Sequence, residues 1–317
     1  MAKDKKVTGI RKVATSKQTG GGGFVFEDKA SAWFISHFLS DRSPFTHKIG
    51  KIKKIEYQIR PEGWLFDDLL LTTEDTNSVI HRIAISSKSN VQINTKGPNN
   101  ELLRDIWNQY LNVDSNVFNK DSDYLCIANS QLPQGISKDL NTLIRFSQSQ
   151  DAKTLHQRIN QGDQAFSQSL KKIYKGFYCP DDIAKDHKVD ESETVNIIGR
   201  LLLLEFDFEN AISNNENQII TLCIDCLTVP DGNLELQLYK TLCSFRGELA
   251  PTSGFLDYQK LIDKLKNHFH LKGYTNHIYD WNKIKAVSKS RIESIQDKIG
   301  NKVNLSNSTE LDRKSVV

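Results

Sequence analysis

The sequence predicts an α/β unit followed by an all-helical half, and three observations carry that expectation. Residues 48–60, KIGKIKKIEYQIR, alternate apolar and polar side chains as a half-buried strand does. Two short apolar runs follow, WLFDDLLLTT (64–73) and VIHRIAISSKS (79–89), parted by the turn-forming EDTNS. Beyond Asn129 the segments carry helical periodicity instead.

Taken in order, residues 1–23 read as a flexible basic arm. Lys3, Lys5, Lys6, Arg11, Lys12 and Lys17 stand against the single acid Asp4, and the arm ends in four glycines, expected to form a hinge or a close-approach loop. From Phe24 the spacing of Trp33, Phe34, Ile35, Phe38 and Leu39 predicts a helix. Three strands follow: 48–60, 64–73 and 79–89. GPNNELLRDIWNQYLN (97–112) has an asparagine placed to cap a helix, with Leu102, Leu103, Ile106, Trp107 and Leu111 on its apolar stripe. DYLCIANS (123–130) is a fourth strand. Helix, three strands, helix and strand make an α/β domain over 24–130, of ordinary domain size. The stretches TVNIIGRLLLLEFDF, NLELQLYKTLCSFRGELA and FLDYQKLIDKLKNHFHL are expected as helices of a connector domain spanning 131–305. Residues 306–317 read as a disordered or truncated end.

Composition narrows the function classes. With 38% hydrophobic and 26% charged residues, the 317-residue chain is ordinary for a globular protein, and no apolar stretch approaches the length of a membrane span. The basic N-terminus lacks an apolar stretch behind it, which argues against secretion. Five cysteines in no dense framework fit reduced thiols, so a cytoplasmic location is expected. The net charge of +3 is less informative than its clustering in the arm and at Lys48, Lys51, Lys53, Lys54 and Arg60, which suits phosphate backbones. No Gly-x-x-x-x-Gly-Lys-Ser/Thr occurs, so ATP hydrolysis through a P-loop is not expected of this chain. Cys223 and Cys226 have the spacing of a zinc knuckle but no second pair, and their apolar neighbours favour small buried side chains. Trp64 and Trp107 read as core.

The chemistry concentrates around Asp67 and Asp68. A Mg²⁺ site for phosphodiester hydrolysis needs a few convergent oxygens and a cation to stabilise the developing charge. Two neighbouring strands can supply it, one entering with an Asp and the next carrying acid-x-Lys, while a preceding helix adds a Glu. Here Asp67 and Asp68 open one strand, Lys88 lies on the next, and Glu27 is in the first helix. Strand alternation sends the two aspartates to opposite faces, and Asp67 is the first choice of ligand.

The stretches GGGFVFEDKASAWFISHFLS, IEYQIRPEGWLFDDLLL, HRIAISSKSNVQI and GPNNELLRDIWNQYL together resemble the PD-(D/E)xK nuclease effector domain, a Cap4-like double-stranded-DNA endonuclease, at the N-terminus of bacterial antiviral STAND ATPases. The resemblance covers about residues 20–130. It implies a restriction-endonuclease-like α/β core with a mixed central sheet, followed by an all-helical connector. It implies catalytic roles for Glu27, Asp67, Asp68 and Lys88, with Asp67 and Glu27 holding Mg²⁺ or Mn²⁺. Lys51, Lys53, Lys54 and Asn90 would contact double-stranded DNA. The expected function is weakly sequence-specific cleavage in bacterial anti-phage defence, switched on when an associated STAND ATPase region or subunit oligomerises the nuclease into a dimer or tetramer. A catalytically degenerate DNA-binding or assembly module, or the nuclease subunit of a Lamassu-type SMC complex, are the alternatives. The acid of (D/E)xK is Ser86 here, a poor metal ligand.

Overall fold

The computed structural model describes residues 21–273 except 47, 91 and 114, together with 289 and 292. Helix α1 (Gly21–Leu39) leads into strand β1 (Lys51–Tyr57), then β2 (Leu69–Glu74) and β3 (Ile80–Lys88). A two-residue pair, β4 (Ile93–Asn94) and β5 (Gly97–Pro98), precedes helix α2 (Asn100–Leu111) and strand β6 (Tyr124–Ser130). Five helices come next: α3 (Gln134–Ser147), α4 (Ala152–Asn160), α5 (Gln168–Gly176), α6 (Asp181–His187) and α7 (Glu193–Gly199). The order closes with β7 (Leu201–Phe206), α8 (Asn214–Cys226), α9 (Leu234–Leu249), β8 (Phe255–Asp257) and α10 (Tyr258–Leu265).

Six of these strands form one mixed sheet in the order β7-β6-β3-β2-β1-β8. β1, β2 and β3 are an antiparallel meander, whereas β6 runs parallel to β3 and β7 parallel to β6. The expected order of helix, three strands, helix and strand is therefore present between α1 and β6. Asn99 caps α2 as its spacing predicts, accepting the Leu102 amide at 2.8 Å.

The all-helical second half is corrected. Leu201–Phe206, expected as helix, is a strand seated parallel to β6, and Phe255–Asp257 pairs antiparallel with β1. The four leucines of the first segment, 201–204, are a continuous apolar run, a pattern parallel strands share, and too short for periodicity to tell strand from helix. Gly199 ends the preceding helix where an added Cβ would lie 3.1 Å from the Ser147 carbonyl oxygen. Asp257 stops β8 by capping α10, its carboxylate accepting the Lys260 amide at 2.8 Å. The second half thus supplies both edges of the sheet, and the boundary expected at 130/131 falls inside one unit that runs to Leu271. The hinge is corrected too: Gly21–Gly23 are the first turn of α1. Apolar packing of the same helix from Phe26 onward supplies what glycine propensity withholds. Residues 1–20 and 306–317 lie outside the described residues.

The sheet buries both faces. On one, Leu70, Ala84, Leu125, Ile127 and Leu201 pack with Leu102, Ile106 and Trp107 of α2 and with α3, α5 and α7. On the other, α1 lies against the sheet, with Phe26 and Trp33 edge-on to Phe206 and the Ser31 hydroxyl 3.0 Å from that of Tyr57. Both tryptophans read as core are core. Trp107 is fully buried and its indole N–H donates to the Phe177 carbonyl at 2.9 Å. Trp107→Ala is expected to cost about 3–5 kcal/mol in unfolding free energy, since it empties a large core volume and orphans that carbonyl. Denaturant unfolding of wild type and variant measures it.

Candidate functional site

Gln58 and Ile59 donate their amides to the Asp68 and Asp67 carbonyls, which holds the chain extended as it enters β2. At that entry the side chains part. Asp68 is buried, its Oδ2 accepts the Ser87 amide at 2.7 Å, and the Lys88 ammonium lies 3.3 Å from the same oxygen. Asp67 turns instead to Arg60, 3.5 Å away, and is half-buried. The strand entry explains the sorting. Both aspartates precede Leu69, the first residue of β2, so each is free to turn its own way, and the bond from the Ser87 amide holds the Asp68 carboxylate at the end of β3. Asp68, and not the Asp67 preferred from the sequence, is the aspartate the fold brings to Lys88.

Glu27 reaches the site from α1. Its carboxylate is in contact with the Arg246 guanidinium of α9, which also lies 3.4 Å from Asp28. Burial raises the Glu27 carboxyl above its usual range, and the nearby Asp68 charge raises it further, while Arg246 and Lys88 oppose the shift. Burial alone would pull Lys88 down, but Asp68 and Glu27 carry it above its usual range, so it stays an ammonium ion at neutral pH. Asp67 is raised by burial and by Asp68. On α2, Asp105 is pushed up to about 6 by burial and by Glu101. Glu27, Asp68 and Lys88 thus act on one another electrostatically, with Asp67 and Asp105 at the margin.

Three participants were absent from the sequence reading, Arg246, Asp105 and Asn129, while Arg60 was read only as part of a basic cluster. Arg246 lies 219 residues from Glu27, beyond the reach of any local pattern. Asn129 of β6 is in register with Lys88, fully buried, and its Oδ1 has no hydrogen-bond partner. The expected DNA contacts are spoken for: Lys51 pairs with Asp41, Lys53 with Glu74 at 3.0 Å and Lys54 with Glu56 at 2.7 Å. Asn90 is exposed and accepts from Gln92. Ser86 is half-buried on the Lys88 face and brings no carboxylate.

Among the described residues no three His, Cys, Asp or Glu side chains gather as a protein-only metal cage. Mg²⁺ does not require one, because it keeps several waters and is held by one or two carboxylates plus substrate phosphates. Asp68 and Glu27 fit that requirement, and the unpartnered Asn129 Oδ1 is a further hard oxygen beside Lys88. Cys223 and Cys226 are both buried on α8. Among the described residues no helix is long and apolar enough to cross a membrane.

Fold and site together define an α/β protein with a mixed six-stranded sheet and a buried aspartate paired with a half-exposed lysine where two neighbouring strands meet. No protein family and no curated protein matches the sequence. Solved structures similar to it include the Acinetobacter baumannii Cap4 SAVED/CARF-domain containing receptor with the cyclic trinucleotide 3'3'3'-cAAA, at TM-score 0.43 and 11% identity, covering 76% of this chain and 46% of that one. The Moraxella osloensis Cap4 SAVED/CARF-domain containing receptor has TM-score 0.41 and 10% identity, covering 77% of this chain and 46% of that one. The chain spans less than half the length of each.

Proposed function

We propose that this chain is a metal-dependent, weakly sequence-specific DNA endonuclease with a restriction-endonuclease-like core, serving bacterial anti-phage defence. The observation that carries the reading is the meeting of Asp68 at the mouth of β2, Lys88 at the end of β3 and Glu27 from α1. Asp68 and Glu27 would hold Mg²⁺ or Mn²⁺, with Asn129 beside them. When bound, the metal supplies a Lewis acid for the phosphoryl oxygens and lowers the pKa of its water. Lys88, held charged by the two carboxylates, donates to a phosphate oxygen as negative charge builds there. It is a charge stabiliser and not the proton acceptor. The Ser87 amide fixes Asp68, and Arg246 fixes Glu27, so the carboxylates are aimed before DNA arrives. The β1 lysines reach DNA phosphates by exchanging their carboxylate partners. Oligomerisation by a STAND ATPase region or subunit is the proposed switch, since an always-active nuclease would damage its host.

The test is supercoiled plasmid incubated with the protein fused to an oligomerising scaffold, in Mg²⁺, in Mn²⁺ and in EDTA. Nicking or linearisation in either metal and none in EDTA supports the reading. Intact plasmid in all three, with retained salt-sensitive DNA binding, favours the degenerate module. Ser86 in place of the expected acid is the observation on that side.

A further inference from the structure

Ion pairing is unevenly distributed over the arginines. Eight lie among the described residues, and Arg42, Arg60, Arg82, Arg104, Arg158 and Arg246 each pair with a carboxylate. The remaining two, Arg145 at the end of α3 and Arg200 at the start of β7, have no carboxylate partner among the described residues, and both line one groove of about 900 Å³. Lys48 and Lys120, also without a described carboxylate partner, line the same groove. Its walls are aromatic as well as cationic. Arg200 lies over the Tyr124 ring at 5.4 Å, and Lys120 over Tyr110 at 4.3 Å. Leu202, Leu203 and Leu204 of the β7 edge complete an apolar side. The groove also contains a buried Ser147 hydroxyl with no hydrogen-bond partner, an unmet donor and acceptor.

We propose that this groove binds a small phosphorylated ligand with an aromatic base, that is, a nucleotide. Unpaired guanidinium groups suit phosphate, which they grip through two parallel N–H bonds. Stacking on a tyrosine already faced by arginine suits a base. Two carboxylates, Asp121 and Glu193, line the groove too, and Glu193 accepts from the Tyr110 hydroxyl at 3.0 Å. They repel phosphate from that side and are acceptors for ribose hydroxyls, which orients the ligand. The volume falls in the range of small-ligand pockets, and a concave groove of that size does not admit a duplex. Tyr124 is in register with Ile83, five residues before Lys88, which puts the two about 16 Å apart along β3 at about 3.3 Å per residue. The groove is therefore separate from the acid–lysine pair, and the inference stands without the nuclease reading.

Calorimetric titration with ATP as the probe tests it, with adenosine and a short DNA duplex as separate arms. Wild type is expected to show saturable one-site ATP binding below about 1 mM. Arg145→Ala and Arg200→Gln are each expected to weaken it about 10-fold or more, since each removes a charge-assisted contact, while Lys138→Ala, on α3 but off the groove, leaves it unchanged. Adenosine is expected to bind at least about 10-fold more weakly than ATP for the same reason. No saturation by ATP, equal affinity of the arginine variants, or equal affinity for adenosine overturns the proposal. So does a loss confined to the DNA arm, which would make the groove a nucleic-acid contact. Circular dichroism checks folding, and if Arg200→Gln unfolds, the exposed Arg145→Ala alone decides.

Discussion

Lys88→Ala is expected to reduce Mg²⁺-dependent plasmid cleavage by about 10²–10³-fold, the usual consequence of removing one donor aimed at developing negative charge. The side chain is placed for that role, 3.3 Å from Asp68 Oδ2 and held charged by Asp68 and Glu27 against the pull of burial. The loss should fall on the turnover rate and leave duplex affinity almost unaltered, because one lysine is a small part of a phosphate-contacting surface. Asp68 keeps its bond from the Ser87 amide in the variant, so the strand entry persists. Single-turnover cleavage and a filter-binding titration separate the two effects. Lys88→Arg should recover part of the rate, since charge is retained but the point geometry of an ammonium is not. Full activity in Lys88→Ala would remove Lys88 from the chemistry.

Arg246→Leu should produce a large loss of stability, about 3 kcal/mol in denaturant unfolding. Arg246 is 8% exposed and serves two carboxylates of α1, Glu27 and Asp28. Removing it leaves two partly buried acids without their cation, and breaking such a pair costs more than the pair contributes over an apolar substitute. The location compounds the effect, because α9 is fastened to α1 beside the proposed site. Arg246→Lys should recover only part of the loss, as an ammonium cannot fork between two carboxylates. A loss within about 0.5 kcal/mol, the range of ordinary surface substitutions, would show that this contact does not hold α9 to α1.

The sequence disclosed the parts of this fold whose signals are local. Alternation in 48–60, the turn at 74–78 and the Asn99 cap lead directly to β1, the β2–β3 turn and α2. Leu201–Phe206 misled because four successive leucines have no alternation to display. Phe255–Asp257 is three residues long and is a strand only because β1 offers a free edge. At the site, the residues were legible but their partners were not. Glu27, Asp68 and Lys88 could be named from spacing. Which aspartate faces Lys88 depends on the strand entry fixed by the Gln58 and Ile59 amides, and Arg246 arrives from a helix more than two hundred residues away. Asn129 gave no sequence signal at all, since its significance is its register with Lys88 and its unmet oxygen.

The most direct test compares Asp68→Asn with Asp67→Asn in Mg²⁺-dependent plasmid cleavage by the oligomerised protein. Both substitutions conserve shape and remove one charge, so they differ mainly in which face of the strand entry loses it. The geometry predicts that Asp68→Asn loses at least about 10²-fold in rate, while Asp67→Asn, whose carboxylate faces Arg60, stays within a few-fold of wild type. The reverse order, or two equally active variants, would contradict the assignment of Asp68 and Lys88 as the centre of the site.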